Sequence, residues 1–299
     1  MQAPVRILLQ TTIPAAEDDW HIGRFSLLQT YLESLTDETG HRLFDVTSRN
    51  RSDGSADPIM GTLDRLDYDE LWLFAVDAGD GISVAECQAI SRFHERGGGL
   101  MVTRDHQDVG ASVCNLAGVG QAHHFHTRNP DPDVSRQVND DRGAPDISWP
   151  NYHSGRNGDF QNVRAVDPIH ALLLNPDSPS GTIKLLPAHP HEGAIDAPPG
   201  EKRARVIATG QSTASARPFN LLVAFDRARD THGNQLGRGV VTSSFHHFAN
   251  YNWDPRCGCP SFVSEPPGDE VLVNPSGLED VKAFVRNVAL WIAPTRQLQ

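Results

Sequence analysis

Residues Ala85–Asp108 read AECQAISRFHERGGGLMVTRDHQD, and the changes of pattern inside them decide the fold. Cys87, Ile90 and Phe93 recur at helical spacing and give one apolar face. Ser83 stands just before, with Glu86 three residues on, the pairing of a capping box. Gly97, Gly98 and Gly99 stop the helix. Leu100–Thr103 is a short apolar run that suits a buried strand. Arg104, Asp105 and His106 follow at once. They fall at the carboxyl end of that strand, where open α/β sheets place their ligands. The triple glycine is not a phosphate loop, because it precedes a strand instead of following one.

Upstream, Val5–Thr12, Phe44–Thr47 and Leu71–Val76 read as strands, and 25–35 as a helix ended by Gly40. The first ~105 residues therefore alternate between strand and helix, which predicts a parallel sheet with helices on both faces. Downstream, strand character returns at Arg205–Thr209, Asn220–Phe225 and Gly239–Phe245, with a hairpin turn at 230–237. A last amphipathic helix opens at Ser276 or Gly277 and buries Val281, Phe284, Val285, Val288, Leu290 and Trp291. Residues 119–165 are rich in His, Asn, Asp, Pro and Gly and poor in aliphatics. They read as a long loop-rich insertion with a function, since plain disorder would not carry so many aromatic rings. Residues 176–202 read as Pro/Gly-rich and irregular. The whole, residues 1–299, is expected to be one domain.

The formal net charge is -12 and no basic run occurs, so neither nucleic acid nor an anionic membrane is an expected partner. No stretch approaches the ~20 apolar residues of a membrane helix. The first residues run straight into a strand without the pattern of a signal peptide, and four cysteines in 299 residues do not suggest a disulfide framework. Cytoplasmic location is the expectation, and homo-oligomerisation is left open.

The segment 85–108, together with GRGVVTSSFHHFANYNW at Gly237–Trp253, resembles the trehalose-utilisation (ThuA-like) branch of the class I glutamine amidotransferase-like superfamily. The resemblance covers about half of the chain, mainly the sheet. It implies a flavodoxin-like parallel sheet, a sharp strand-to-helix elbow, and a late strand that delivers a histidine beside that elbow. It also implies sugar metabolism. Two departures stand out. The elbow, Val102 to His106, has no cysteine, and His246 is followed by His247 and Phe248 instead of an orienting acid two residues on. Glutaminase chemistry, which needs a thiolate nucleophile, is therefore not expected.

The candidate residues divide by chemistry. Asp105, His106, Arg104, His246 and His247 are the expected catalytic set, with histidine as general acid or base near neutral pH and Arg104 as an anion or hydroxyl clamp. Asn250, Asn252, Trp253, Tyr152 and His153 suit a polyol, through hydrogen bonds and an apolar face. His124 and His126 share one face if extended and are expected to point at the histidines of the late strand; with one more distant histidine or carboxylate they would hold a divalent metal such as zinc. No cofactor is required by the first reading. Cys257-Gly258-Cys259 lacks the spacing of a zinc ribbon and reads as a loop.

These features predict a hydrolase or lyase of carbohydrate or polyol metabolism with a small-molecule, carbohydrate-like substrate. The alternatives are a metal-dependent hydrolase using the histidine cluster, and a non-catalytic sugar- or partner-binding module.

Overall fold

The architecture comes from a computed structural model that describes residues 3–229, 233 and 235–295. The first part runs β1 (Val5–Thr11), α1 (Ser26–Ser34), β2 (Phe44–Arg49), β3 (Glu70–Phe74), α2 (Val84–Glu95) and β4 (Gly99–Val102). Short strands follow: β5 (His123–His124), β6 (Phe160–Asn162), β7 (Arg164–Ala165), β8 (Leu185–Pro187) and β9 (Ala194–Ile195). The last part holds β10 (Ala204–Gln211), β11 (Pro218–Phe225), β12 (Gly239–Thr242), α3 (Asn250–Trp253), α4 (Glu270–Val273) and α5 (Pro275–Ile292).

The main sheet has the order β2-β1-β3-β4-β12-β11-β10-β7. The strands from β2 to β12 run parallel, as the alternating pattern predicts. β11, β10 and β7 extend the sheet antiparallel, so it is mixed. The expected hairpin turn at 230–237 falls partly on 230–232 and 234, outside the described residues, but β11 and β12 do pair antiparallel.

Strand periodicity sorts the core into two layers. Ile7, Leu9, Trp72, Phe74, Met101 and Val240 pack with Leu28 and Leu32 of α1 and Phe284, Val285 and Val288 of α5. Their strand neighbours Leu8, Leu71, Leu73, Leu100, Val102 and Val241 point the other way, onto Cys87, Ile90 and Phe93 of α2. With both faces covered, Leu71–Phe74 of β3 and Leu100–Val102 of β4 are apolar at every position instead of alternating. Helix α2 has the expected capping box between Ser83 and Glu86, and Gly97 closes it with φ 97°, a left-handed conformation that glycine adopts without strain. Leu290, expected on the buried face of α5, is exposed.

The loop-rich region is larger than the expected insertion at 119–165. β5 pairs with β9 and β6 with β8, both antiparallel, so residues 123–162 are bound to 185–195. Asn220 of β11 donates to the Ile195 carbonyl at 2.9 Å and fastens this layer to the sheet. Among the described residues, no helix is long and apolar enough to cross a membrane.

Candidate active site

β4 and β12 are parallel neighbours, with Val102 opposite Val241, so both chains leave the sheet at the same edge. After β4 comes the Thr103–His106 segment. After β12 the chain makes a single 3-10 turn, Phe245–Phe248, where the Ser244 hydroxyl accepts from the His246 amide at 3.1 Å. The Phe245 amide donates to the Arg104 carbonyl at 2.8 Å and locks the two exits together. A third strand of chain, the strap between β8 and β9, crosses above them. It is held by the Ser154 hydroxyl, which accepts from the His189 amide at 2.9 Å, and by the Gly193 amide, which donates to the Ser243 carbonyl at 2.9 Å. Gly193 is required there, because a Cβ would strike the Arg104 side chain and the Asp105 carbonyl.

The three segments bring Asp105, His189 and His246 together, each at most 4% exposed. His189 Nε2 lies 2.9 Å from one carboxylate oxygen of Asp105, and His246 Nε2 lies 3.7 Å from the other. The two imidazoles stack at 3.6 Å with planes 12° apart. On their far sides, His189 Nδ1 meets Asn157 Oδ1 at 3.1 Å and His246 Nδ1 meets Asn252 Oδ1 at 3.3 Å. Burial, and then the neighbouring His246, push the pKa of His189 well below the usual histidine value.

The cluster opens into a cavity of about 310 Å³ lined by Trp20, His106, Ile147, His191, Phe262 and Glu265, among others. Trp20 meets the His246 ring edge-on at 4.6 Å. His106 Nδ1 is 3.4 Å from Asp105, and His191 is held by Asn151 and Asp141, both at 3.0 Å. The volume sits at the low end of small-ligand pockets, about 300–1,000 Å³.

Several expected residues lie elsewhere. Arg104 is no anion clamp. Its guanidinium is fully buried and donates to the carbonyls of Asp105, His124, Ala194 and Gln107, with its plane 3.9 Å over the Phe125 ring. Burial lowers its pKa to about 9, which still leaves it cationic at neutral pH. It braces the loop behind Asp105. His247 does not line the cavity; it lies 3.1 Å from Glu192 in a buried cluster where Ser154, Gln161 and Ser243 also donate to that carboxylate. Asn250 does not face the cavity either: its Oδ1 accepts from the Leu27 amide at 2.8 Å. Trp253 donates to the His247 carbonyl, and Tyr152 stacks on Phe219 at 5.1 Å. His153 does not line the cavity but stands behind its wall, 3.0 Å from Thr213 and 3.8 Å from Glu265. Of the expected polyol-binding residues, Asn252 alone touches the cluster, from behind.

The expected pairing of His124 and His126 with the late-strand histidines does not form. His124 Nδ1 meets the Asn129 carbonyl at 3.0 Å, and His126 is exposed, with Nδ1 3.2 Å from the Trp149 carbonyl. Among the described residues, the one group of three His, Cys, Asp or Glu side chains with mutually close ligand atoms is Asp105, His189 and His246, within 4.8 Å of one another. The loop-rich region still supplies Ala144, Ile147 and Asn157 to the cavity. His189, His191 and Glu192 lie in a segment that reads as irregular. Their one signal is local: Ala188-His-Pro-His-Glu-Gly193 packs three functional side chains into four residues.

No family model and no curated protein sequence matches the chain. Three solved structures are similar in fold. A ThuA-like protein from Parabacteroides merdae is 14% identical with TM-score 0.43, over 99% of this chain and 93% of that one. A glutaminase domain of Trypanosoma brucei CTPS with bound acivicin is 14% identical with TM-score 0.44, over 99% and 100%. The N-terminal domain of mmIFT52 is 12% identical with TM-score 0.43, over 83% and 90%.

Proposed function

We propose that the chain is a hydrolase or lyase acting on a carbohydrate or related polyhydroxylated small molecule, with Asp105, His189 and His246 as its reacting centre. The observation that carries this reading is the convergence of one carboxylate and two imidazole nitrogens at the floor of a small-molecule-sized cavity. Buried titratable groups gathered at the carboxyl edge of a sheet, with nothing in the core to need them, are what acid–base chemistry requires. His106, on the cavity wall and 23% exposed, is placed to exchange protons with solvent, whereas His189 is not. Trp20 and Phe262 give an apolar wall, and His191 and Glu265 a polar one, a mixture that suits a ring bearing hydroxyl groups.

Thiol chemistry has little support. Neither Cys87 nor Cys114 lines the cavity, and burial raises their pKa values to about 12 and about 11, so both stay protonated and unreactive near neutral pH.

The test is turnover by purified protein on a panel of glycosides, sugar lactones and keto-sugar derivatives. Activity that Asp105→Asn and His246→Gln abolish is the expected result. Saturable sugar binding without turnover would favour the non-catalytic module, and activity surviving both substitutions would remove the cluster from the chemistry.

A further inference from the structure

The hydrogen bonds behind the cluster fix which nitrogen of each imidazole carries the proton. The chain of reasoning starts at the Ala188 carbonyl, which can only accept. It receives the Asn252 amide nitrogen at 2.9 Å, so the other end of that amide, facing His246 Nδ1, is oxygen. The same Asn252 nitrogen donates to Asn157 at 3.0 Å, so the Asn157 atom there is also oxygen, and it is the atom that faces His189 Nδ1. Both Nδ1 atoms must therefore donate. In the neutral imidazoles both Nε2 atoms carry bare lone pairs, and both point at the Asp105 carboxylate, a third acceptor. Three acceptors with contacts of 2.9 and 3.7 Å, all nine-tenths or more buried, repel one another unless a proton or a metal ion lies between them.

We propose that Asp105, His189 and His246 hold one divalent first-row transition-metal ion, through a carboxylate oxygen and two Nε2 atoms, with the remaining coordination positions open to the cavity. Ligand atoms bound at about 2.0–2.2 Å stand about 3.0–3.6 Å apart; the two contacts of Asp105, 2.9 and 3.7 Å, bracket that range, and the stacked rings swing apart to turn both lone pairs onto the ion. Two imidazoles and one carboxylate suit zinc, iron, cobalt or manganese better than magnesium or calcium, which take oxygen ligands. Asn157 and Asn252 are the outer partners that hold each ring at its metal-binding tautomer. The open positions face Trp20, His106 and His191, where a water molecule or a substrate hydroxyl would complete the coordination. The inference deepens the reading of the same site given above, yet it stands or falls on binding alone.

The experiment uses full-length, tag-free protein stripped with chelator and titrated with Co²⁺, followed by visible absorption, and with Zn²⁺, followed by calorimetry. The expected result is one ion per chain, bound at least 100-fold more weakly by Asp105→Asn or His246→Gln. Asn157→Ala should weaken it about 10–100-fold, while His124→Ala and His126→Ala leave it unchanged. Where a variant misfolds, the unaltered protein still reports through a melting temperature that rises with added Zn²⁺. Less than a tenth of an equivalent bound, or binding unaffected by Asp105→Asn, overturns the proposal. So does a proton on His189 Nε2, seen by ¹⁵N NMR in protein exposed to metal, because that proton would then occupy the ion's place. Metal binding without turnover of any sugar derivative would keep the site and remove the catalytic reading. Turnover undiminished in metal-free protein would do the reverse.

Discussion

Two buried carboxylate–histidine clusters draw on the same two segments, the strap and the turn after β12: His189 and His246 meet Asp105, whereas Glu192 and His247 meet each other. Glu192 receives donors from two serines and a glutamine besides His247, and it does not line the cavity. Asp105 receives two imidazoles whose free lone pairs face it, and it opens onto the cavity. The contrast separates a buried charge that is satisfied by its surroundings from one that awaits a partner from outside. The first kind stabilises the strap crossing, since removing it strands every donor around it. The second kind costs folding free energy and persists where binding or chemistry uses it.

Substitution should break the two clusters differently. Asp105→Asn should lower turnover of the eventual substrate by at least about 10³-fold, some 4 kcal/mol of transition-state stabilisation. Its melting temperature should stay within a few degrees of the parent's or rise, because an acceptor facing acceptors has been neutralised. Glu192→Ala should do the opposite. It leaves His247, Gln161, Ser154 and Ser243 without their common acceptor in a dry interior, a loss of about 3 kcal/mol, at the low end for breaking a buried pair. For a chain of this size that is a fall of roughly 5–10 °C by calorimetry. If Asp105→Asn melts far lower than Glu192→Ala, the roles of the two clusters are exchanged.

The same contrast marks how far the sequence could be read. Asp105, His106 and His246 were legible because each follows an apolar strand, and strand ends in parallel sheets face the ligand crevice. Arg104 and His247 satisfy that same rule of position and yet point into the interior, Arg104 onto the carbonyls behind Asp105 and His247, in its 3-10 turn, onto Glu192. His189 was not legible. Its place depends on the pairing of β5 with β9 and β6 with β8, strands of two or three residues with no periodicity to detect. The pairing of His124 with His126 rested on an extended conformation through 123–126, but the strand ends at His124.

A third kind of buried histidine sharpens the comparison, since its ring meets a backbone carbonyl instead of a carboxylate. His94, at the end of α2, has Nδ1 3.0 Å from the Gly98 carbonyl, and burial lowers its pKa to about 4. Its folded value thus lies below its unfolded one, and the unfolded chain takes up the proton first. The stability it contributes is complete above pH ~6.5 and is lost as pH falls towards 4, a total of about 3 kcal/mol. Urea denaturation between pH 7 and 4.5 should show this slope, and His94→Gln should reduce it. A slope unchanged by the substitution would place the acid sensitivity in other groups.

The smallest expected effect concerns His123, which lies directly before His124 in β5 and is fully buried with neither ring nitrogen hydrogen-bonded. Its ring stacks on Phe125 at 6.1 Å with planes 21° apart, so it behaves as an aromatic filler that carries two unsatisfied polar atoms. Burial, and then the charge of Arg104, hold its pKa well below the usual histidine value. His123→Phe keeps a flat ring in the stack and removes both polar atoms, so it should stabilise the fold by about 1 kcal/mol. The gain should also grow on acidification, because the parent's unfolded state binds a proton at this position below pH ~6.5 and the variant's does not. Melting temperatures of both proteins at pH 7.5 and pH 5.5 measure the two effects. A variant destabilised at both pH values would show that the His123 nitrogens do meet a partner, and His123 would then belong with Asp105 among groups kept for what they bind.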